Sequence, residues 1–470
     1  MNDKNSTISS ITYDVIKRDI IFGKLKPSIK LKLDKLKNNY NASLSTIRET
    51  LNRLASEGFV KAEEQRKQEG RTHDVFYFHK ADDPYSHLTI QYIEKLNSSF
   101  DINLKPILVG DEDPKAVHEP SLYGIYCLED AKRIAPFYGV EFSADSYPRK
   151  ELIDKSNTIL SLVEDKHFAE VGTAVSNALW HGHEAILDEL GEKYAADEDF
   201  VKSKIAAGNQ IRNDKGYYFG SAFYYEKELY WGVDRINHLE DRLSELGLKK
   251  DSTNEPICAP KITAPEILKS DRQVNLTYYP SLNSPYTYVS AKRVREITHE
   301  YPVNLITKPV LPMLMRNMTI PPFKAKYIIS DAAREGRKYD YPMGSIYSPI
   351  GKPARKAYSL FPIIDSLGKG FEYIDDLLYS SFHEGINIGD DDYLKSLIKK
   401  LNLDWDTVGK ELGKRHWKKV LADNLKDMYA GNCWGVPSFK VTDEDGSNPF
   451  YAWGQDRMWL IKEEINKRLG

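Results

Sequence analysis

One motif set is written twice in this chain of 470 residues, and that repeat constrains the fold more than any other feature. The later copy reads Ser284-Pro285-Tyr286, Tyr327-x3-Asp331-x2-Arg334, Gly435-Val436-Pro437-Ser438-Phe439 and Trp453-Gly454-Gln455-Asp456-Arg457. The earlier copy reads Asp83-Pro84-Tyr85, Tyr126-x3-Asp130-x2-Arg133, Gly220-Ser221-Ala222-Phe223 and Trp231-Gly232-Val233-Asp234-Arg235. Asp83 stands 47 residues before Asp130, and Ser284 stands the same 47 before Asp331. Agreement in both order and spacing implies a duplication. The earlier copy is altered at the positions of Ser284 and Pro437.

The local patterns around the two copies agree as well. Residues 74–78 and 274–279 are short β-prone runs, each followed by X-Pro-Tyr, a helical pattern and a second strand (103–108 and 302–306). A β-α-β opening of this kind implies parallel strands joined by a right-handed crossover. A long helical middle follows, then a hairpin-like strand pair and a last amphipathic helix (235–246 and 457–469). The expected fold class is α/β: two tandem thioredoxin-like domains with helical insertions, preceded by a small winged helix-turn-helix domain. The boundaries expected are 1–73, 74–246, a linker at 247–271, and 272–470. Duplicated domains could pair within one chain as identical subunits pair in a dimer.

Composition narrows the setting. Charged residues make up 29% and hydrophobic residues 41%, a profile of soluble globular proteins, and no apolar run approaches the length of a membrane span. Cys127, Cys258 and Cys433 form no C-x-x-C pair, so a disulfide scaffold or a zinc site is not expected and a reducing cytoplasm is. The net charge of −3 conceals an asymmetry: residues 1–73 hold 15 Lys/Arg against 9 Asp/Glu. That end suits a polyanion. There, residues 11–22 have helical apolar spacing, LKLDKLKNNY forms a second helical pattern, and Ser43 can cap a third helix through Ile47, Leu51 and Leu54. Phe59-Val60-Lys61-Ala62 reads as the first strand of a wing.

The segment IIFGKLKP…LDKLKNNYNASLSTIRETLNRLASEGFV resembles the DNA-binding domain of the GntR family of bacterial repressors. The resemblance implies DNA as a partner, with Ser43, Ser45, Thr46 and Arg48 at the front of the recognition helix. Leu44 departs from the Arg common in that family, and the wing is short. A homodimer is a further expectation for winged helices of this type.

Residues 272–470 are similar to the 2-hydroxychromene-2-carboxylate isomerase and kappa-class glutathione transferase group of the DsbA-like thioredoxin superfamily. YYPSLNSPYTYV, SSFHEGINIGDDDYLKSLIKKLNLD, NCWGVPSF and WGQDRM carry the likeness, in that order. The resemblance implies glutathione as cofactor. Ser284, at the start of a helix whose dipole favours an anion, would stabilise its thiolate. Val436-Pro437 would be the family's cis-proline bond and pair with the tripeptide backbone. Asp456, with Arg457 nearby, would hold the γ-glutamyl ammonium, and Asn317 would contact the tripeptide. Ser-Pro is also a good helix cap in its own right, and Asp456-Arg457 could simply start the last helix. In the first copy, Asp83 would repel a thiolate and Ser221 replaces the proline, so thiolate chemistry is not expected there. Tyr327, Asp331 and Arg334 have the spacing to knit one helical face. His181-Gly182-His183-Glu184 lacks metal-ligand spacing, and no P-loop, GxGxxG or HExxH occurs.

The function expected is a glutathione- or thiol-dependent isomerase, transferase or oxidoreductase acting on a small organic substrate, fused to a DNA-binding module. The alternative is a GntR-type transcription regulator whose thioredoxin-like domains sense a small molecule.

Overall fold

The computed structural model describes residues 8–21, 24–25, 31–56, 70–251, 255–262, 266–267 and 269–470. Among the described residues the N-terminal part holds three helices, α1 (Ile8–Ile21), α2 (Leu33–Tyr40) and α3 (Leu44–Ser56). Their apolar faces meet in a small core of Tyr13, Ile16, Leu36, Ala42, Ile47 and Leu54. Asn41 ends α2 in the left-handed conformation (φ 46°), which Asn tolerates better than most residues. The wing expected at Phe59–Ala62 lies outside the described residues.

Two four-stranded sheets follow. β1 (Asp74–His79) pairs in parallel with β2 (Asn103–Leu108) and antiparallel with β3 (Ala222–Tyr225), which pairs with β4 (Glu228–Trp231). β5 (Val274–Tyr279), β6 (Val303–Thr307), β7 (Ser438–Asp443) and β8 (Phe450–Trp453) repeat this arrangement. The strand orders are β2-β1-β3-β4 and β6-β5-β7-β8. Val274–Tyr279 is buried at every position but Asn275, which explains its Val, Leu and Tyr residues. Mixed α/β architecture with two sheets and many helices is the result.

The crossovers differ. In the second half a single helix, Pro285–Glu300, connects β5 to β6. In the first half HLTIQYIEKL does not form the one continuous helix its pattern suggests. It divides into Pro84–Ile90 and Ile93–Ser99. Five helices between Pro120 and Asp214 separate β2 from β3, and a comparable insertion from Pro322 to Tyr429 separates β6 from β7. Residues 247–271 are more than a tether where described. Ile257 and Cys258 are buried in the first half's core, and their N–H groups donate to the Glu240 carboxylate at 2.8 and 3.1 Å. Among the described residues no helix is long and apolar enough to cross a membrane.

Candidate functional site

Three separate motif segments of the second half converge at the start of helix Pro285–Glu300. Ser284 is its N-cap, and its Oγ accepts the Thr287 N–H at 3.2 Å. The same hydroxyl donates to the Val436 carbonyl at 3.3 Å. Val436–Pro437 is a cis peptide bond. The Pro437 carbonyl accepts the Gly454 N–H at 2.9 Å, which brings in the turn carrying Asp456. Ser284 is 8% exposed, and Val436 and Asp456 are half-buried. A Cβ on Gly435 would lie 2.3 Å from the Trp453 ring, so only glycine lets the indole close over this segment. Asn317 ends the turn Met313–Arg316 in the left-handed conformation (φ 61°) and is exposed. The preceding Arg316 donates to the Trp434 carbonyl at 3.2 Å. Cys433 is fully buried, burial pushes its thiol up, and it donates to the Gly431 carbonyl.

The remaining repeated residues join the two halves. Arg457 clamps Asp130 of the first half through Nε (2.9 and 3.0 Å) and Nη2 (2.7 Å), and reaches Asp234 through Nη1 at 2.8 Å. Arg235 makes the same contacts in reverse, to Asp331 (2.9, 3.0 and 2.7 Å) and to Asp456 (2.6 Å). Tyr85 donates to Asp130 at 2.7 Å and Tyr286 to Asp331 at 2.8 Å. Arg133 caps the Tyr451 carbonyl and Arg334 the Leu229 carbonyl, both at 2.9 Å. Each of these contacts has its counterpart, so the halves pair about a pseudo-twofold axis, as an isologous dimer does.

Burial makes these charges interdependent. Asp331 has no exposed side-chain surface. Burial alone would raise its carboxyl, but the charges of Arg235 and Arg334 outweigh that and hold it below the ordinary range. Glu335 is likewise held low against its burial, by Arg235 and by His238, whose Nε2 lies 2.5 Å away. His238 is pushed down to about 4, chiefly by burial, so it is neutral and donates. Asp456 is raised to about 6 by burial, with Arg235 opposing and Asp234 and Glu335 adding.

The first half differs at its own helix start. The Asp83 carboxylate accepts the N–H groups of Tyr85 (3.2 Å) and Ser86 (3.0 Å) and the Ser86 hydroxyl (2.7 Å). Burial raises it to about 6, opposed by the Ser86 bond and by Lys80. Ser221 stands where Pro437 does: its carbonyl accepts the Gly232 N–H at 2.7 Å, the bond that Pro437 makes with Gly454. Its peptide is trans with φ 53°, and its hydroxyl is tied to Thr89 at 2.7 Å. Beside Asp83 lies a cavity of about 370 Å³, lined by Lys80, Asp82, Asp111, Glu112, Tyr123 and Cys127 among others.

In α3, Ser43 is the N-cap, its Oγ accepting the Thr46 N–H at 3.1 Å and lying within 2.8 Å of the Ser45 and Thr46 hydroxyls. Ser43, Ser45 and Arg48 are exposed and Thr46 is half-buried, so the four candidate DNA-reading residues lie together at the front of this helix. Among the described residues no cluster of His, Cys, Asp or Glu could hold a metal ion.

Sequence reasoning placed Tyr327, Asp331 and Arg334 along one helical face, and Asp331–Arg334 is indeed paired. It missed that Asp331 faces Arg235, 96 residues away. It also missed Glu335 and His238. A usable signal was present: Asp130, Asp234 and Arg235 persist in the copy that lost both serine and proline, which points to a role in pairing rather than chemistry.

Two family models match the chain. That of the DSBA-like thioredoxin domain covers residues 275–466, and that of bacterial regulatory proteins of the gntR family covers residues 9–67. No curated protein matches significantly. Similar solved structures include a 2-hydroxychromene-2-carboxylate isomerase, at 15% identity and a TM-score of 0.34, over 41% of this chain and 95% of that one. The cytosolic disulfide reductase DsbM from Pseudomonas aeruginosa shares 15% identity, with a TM-score of 0.32, over 42% of this chain and all (100%) of that one. The α-DsbA1 protein of Wolbachia pipientis shares 13% identity, with a TM-score of 0.29, over 43% and 87%. This chain therefore joins an N-terminal gntR-family domain to a C-terminal DSBA-like thioredoxin domain.

Proposed function

We propose that the second half, residues 272–470, binds glutathione and uses its thiolate on a small organic substrate, as an isomerase, transferase or oxidoreductase. The observation that carries this reading is the meeting of the Ser284 hydroxyl with Val436 at the helix start, 3.3 Å apart, within a DSBA-like domain. A hydroxyl there can turn from the Val436 carbonyl to a sulfur anion, in the field of the helix N-terminus. Val436 is half-buried and its backbone can pair with an extended peptide. Asp456 supplies a carboxylate for the γ-glutamyl ammonium, with Asn317 at the exposed rim, while the neighbouring Arg457 is engaged by Asp130 and Asp234 and acts on the site only by holding that turn. With no C-x-x-C in the chain, exchange between two protein thiols is disfavoured.

The first half, residues 74–246, is on this reading a degenerate copy of the same domain. It shares the strand order but carries Asp83 and Ser221 at the two decisive positions. It acts as the pairing partner, and the chain works in the cytoplasm. The N-terminal domain binds DNA through α3, alone or as a homodimer. Calorimetric titration of the full chain with glutathione tests the reading, with Ser284→Ala and Asp456→Ala as controls. Binding by the wild type that weakens in both variants supports it, and no binding by the wild type refutes it.

A second reading is favoured by the gntR-family match: a regulator in which the thioredoxin-like part senses the thiol ligand. Gel-shift titration against the DNA upstream of the chain's own coding region separates the two. Sequence-specific retention altered by glutathione supports a regulator, and retention that is salt-sensitive but sequence-independent argues against one.

A further inference from the structure

The reciprocal pairing leaves one of its four carboxylates open. Asp130 and Asp331 are enclosed, with side-chain exposures of 1% and 0%. Asp234 is 9% exposed, and besides Arg457 it receives the Tyr138 hydroxyl at 3.0 Å. Asp456 is 18% exposed. The tyrosine that matches Tyr138 by the repeat spacing is Tyr339, and the Arg293 guanidinium lies over its ring at 3.7 Å. At Asp456, Oδ1 takes Arg235 Nη1 at 2.6 Å together with Gln455 Nε2, whereas Oδ2 has only Arg235 Nη2 at 3.3 Å. A carboxylate oxygen with spare accepting capacity therefore remains on the most exposed of the four, in the half that keeps Ser284 and Pro437.

We propose that Arg235, supplied by the first half, is a positioning residue for the ligand site of the second half. Its guanidinium fixes the orientation of Asp456 and keeps that carboxylate an anion for the ammonium of a γ-glutamyl tripeptide. The inference rests on the reading of Asp456 given above. Fork geometry supports it: Nε is spent on Asp331, Nη1 on Asp456, and Nη2 lies between the two carboxylates, 2.7 Å from Asp331 and 3.3 Å from Asp456. Asp331 thus holds the guanidinium in register, and the guanidinium holds Asp456. Loss of the first copy's own serine and proline left this contribution intact, which gives the altered half a function beyond packing.

Charge accounts for the second part of the role. Asp456 is faced by Asp234 and Arg235 from helix Val233–Glu245, and by Asp331 and Glu335 from helix Pro322–Lys338. His238, neutral, and Arg334 lie behind these, Arg293 approaches through Gln455, and Arg457 belongs to its own turn. Acidic neighbours outnumber the one cation in direct contact. Burial already raises Asp456 to about 6, and Arg235 acts against that rise. The sign follows: an ammonium needs the ionised carboxylate, so binding is present above about pH 6 and is lost as pH falls through it. Removing Arg235 moves that acid limb upward.

The test is glutathione binding by the full chain across the range from about pH 5.5 to 9.5, comparing wild type, Arg235→Gln, Arg235→Lys and Asp456→Asn, each first checked for a cooperative thermal transition. The thiol's own titration is common to all four and cancels in the affinity ratios. Loss of one contacting charge raises a carboxyl by about 1–3 units, so Arg235→Gln is expected to bind about 2- to 90-fold more weakly at neutral pH, about tenfold for a two-unit rise, and to recover toward wild type in alkali. Asp456→Asn is expected to be weak at every pH. Arg235→Lys, which keeps the charge but cannot span both carboxylates, is expected to shift the acid limb by a smaller amount in the same direction. It serves alone if the glutamine variant does not fold. Folded Arg235 variants with the wild-type affinity and acid limb would overturn the inference, as would a loss by one constant factor at all pH values. Absence of glutathione binding by the wild type would sink the underlying reading as well, and so is distinguishable from failure of the Arg235 role alone.

Discussion

The Arg457–Asp130 pair offers the sharpest test of how the halves hold together. Its side chains are 4% and 1% exposed and share three contacts of 2.7–3.0 Å. Arg457→Met leaves the Asp130 carboxylate with only the Tyr85 and Tyr126 hydroxyls, at 2.7 and 3.2 Å. Asp130→Asn leaves the guanidinium with Asp234 alone. Removing one partner of a buried pair costs about 3–5 kcal/mol, whereas removing both leaves no uncompensated charge at that contact. The double variant should then be no worse than the poorer single, giving a coupling energy on the order of 3 kcal/mol. Arg235→Met should cost an amount comparable to Arg457→Met, because it takes a cation from Asp331, Glu335 and Asp456 together while Arg334 stays on Asp331 and His238 on Glu335. Urea unfolding followed by tryptophan fluorescence measures this, since Trp231 and Trp453 lie beside the junction. The wild-type sheets are expected to unfold in one transition that splits in Arg235→Met. A coupling below about 0.5 kcal/mol would mean the pair acts as two independent sites and would refute the reasoning.

Three further outcomes are expected. Asp83 is raised to about 6 from an ordinary 3.8, so the native state holds its proton where the unfolded chain has lost it; this group's contribution to stability therefore falls as pH rises from about 4 to about 6. Asp83→Asn should gain on the wild type by roughly 2–3 kcal/mol between pH 4 and pH 7 in urea titrations, and an unchanged difference would contradict that shift. Gly435→Ala forces a Cβ against the Trp453 ring and should destabilise by about 1–3 kcal/mol, with a changed tryptophan emission as the check. Arg48→Ala removes an exposed cation from α3, and if Arg48 contacts a phosphate the salt dependence of DNA binding should lose about one unit of slope.

Much of the architecture could be read from residue order. The paired X-Pro-Tyr and strand patterns gave both β-α-β openings to within a residue or two, because a buried parallel strand requires an apolar run and its crossover requires a helix. Ser284 as an N-cap and Val436–Pro437 as a cis bond were also anticipated. The division of the first crossover after Ile90 was not, since its apolar spacing is compatible with one continuous helix. Pairing across the halves was hidden for a different reason. Tyr126, Asp130 and Arg133 satisfy helical i, i+4 and i+3 spacing, and Tyr126 does contact Asp130, so a local explanation was sufficient. The strongest partner of Asp130, Arg457, is 327 residues distant, and spacing within one helix carries no information about it. Asp456 was read as a ligand group with a helix cap as the rival; its bond to Arg235 belongs to neither description.

Stoichiometry of glutathione binding to the full chain tests the central claim most directly. Calorimetry on the wild type is expected to give one site per chain, abolished or greatly weakened by Ser284→Ala and unchanged in number by Asp83→Asn. Two sites per chain would contradict the assignment of chemistry to one half, and no binding would contradict the glutathione reading itself.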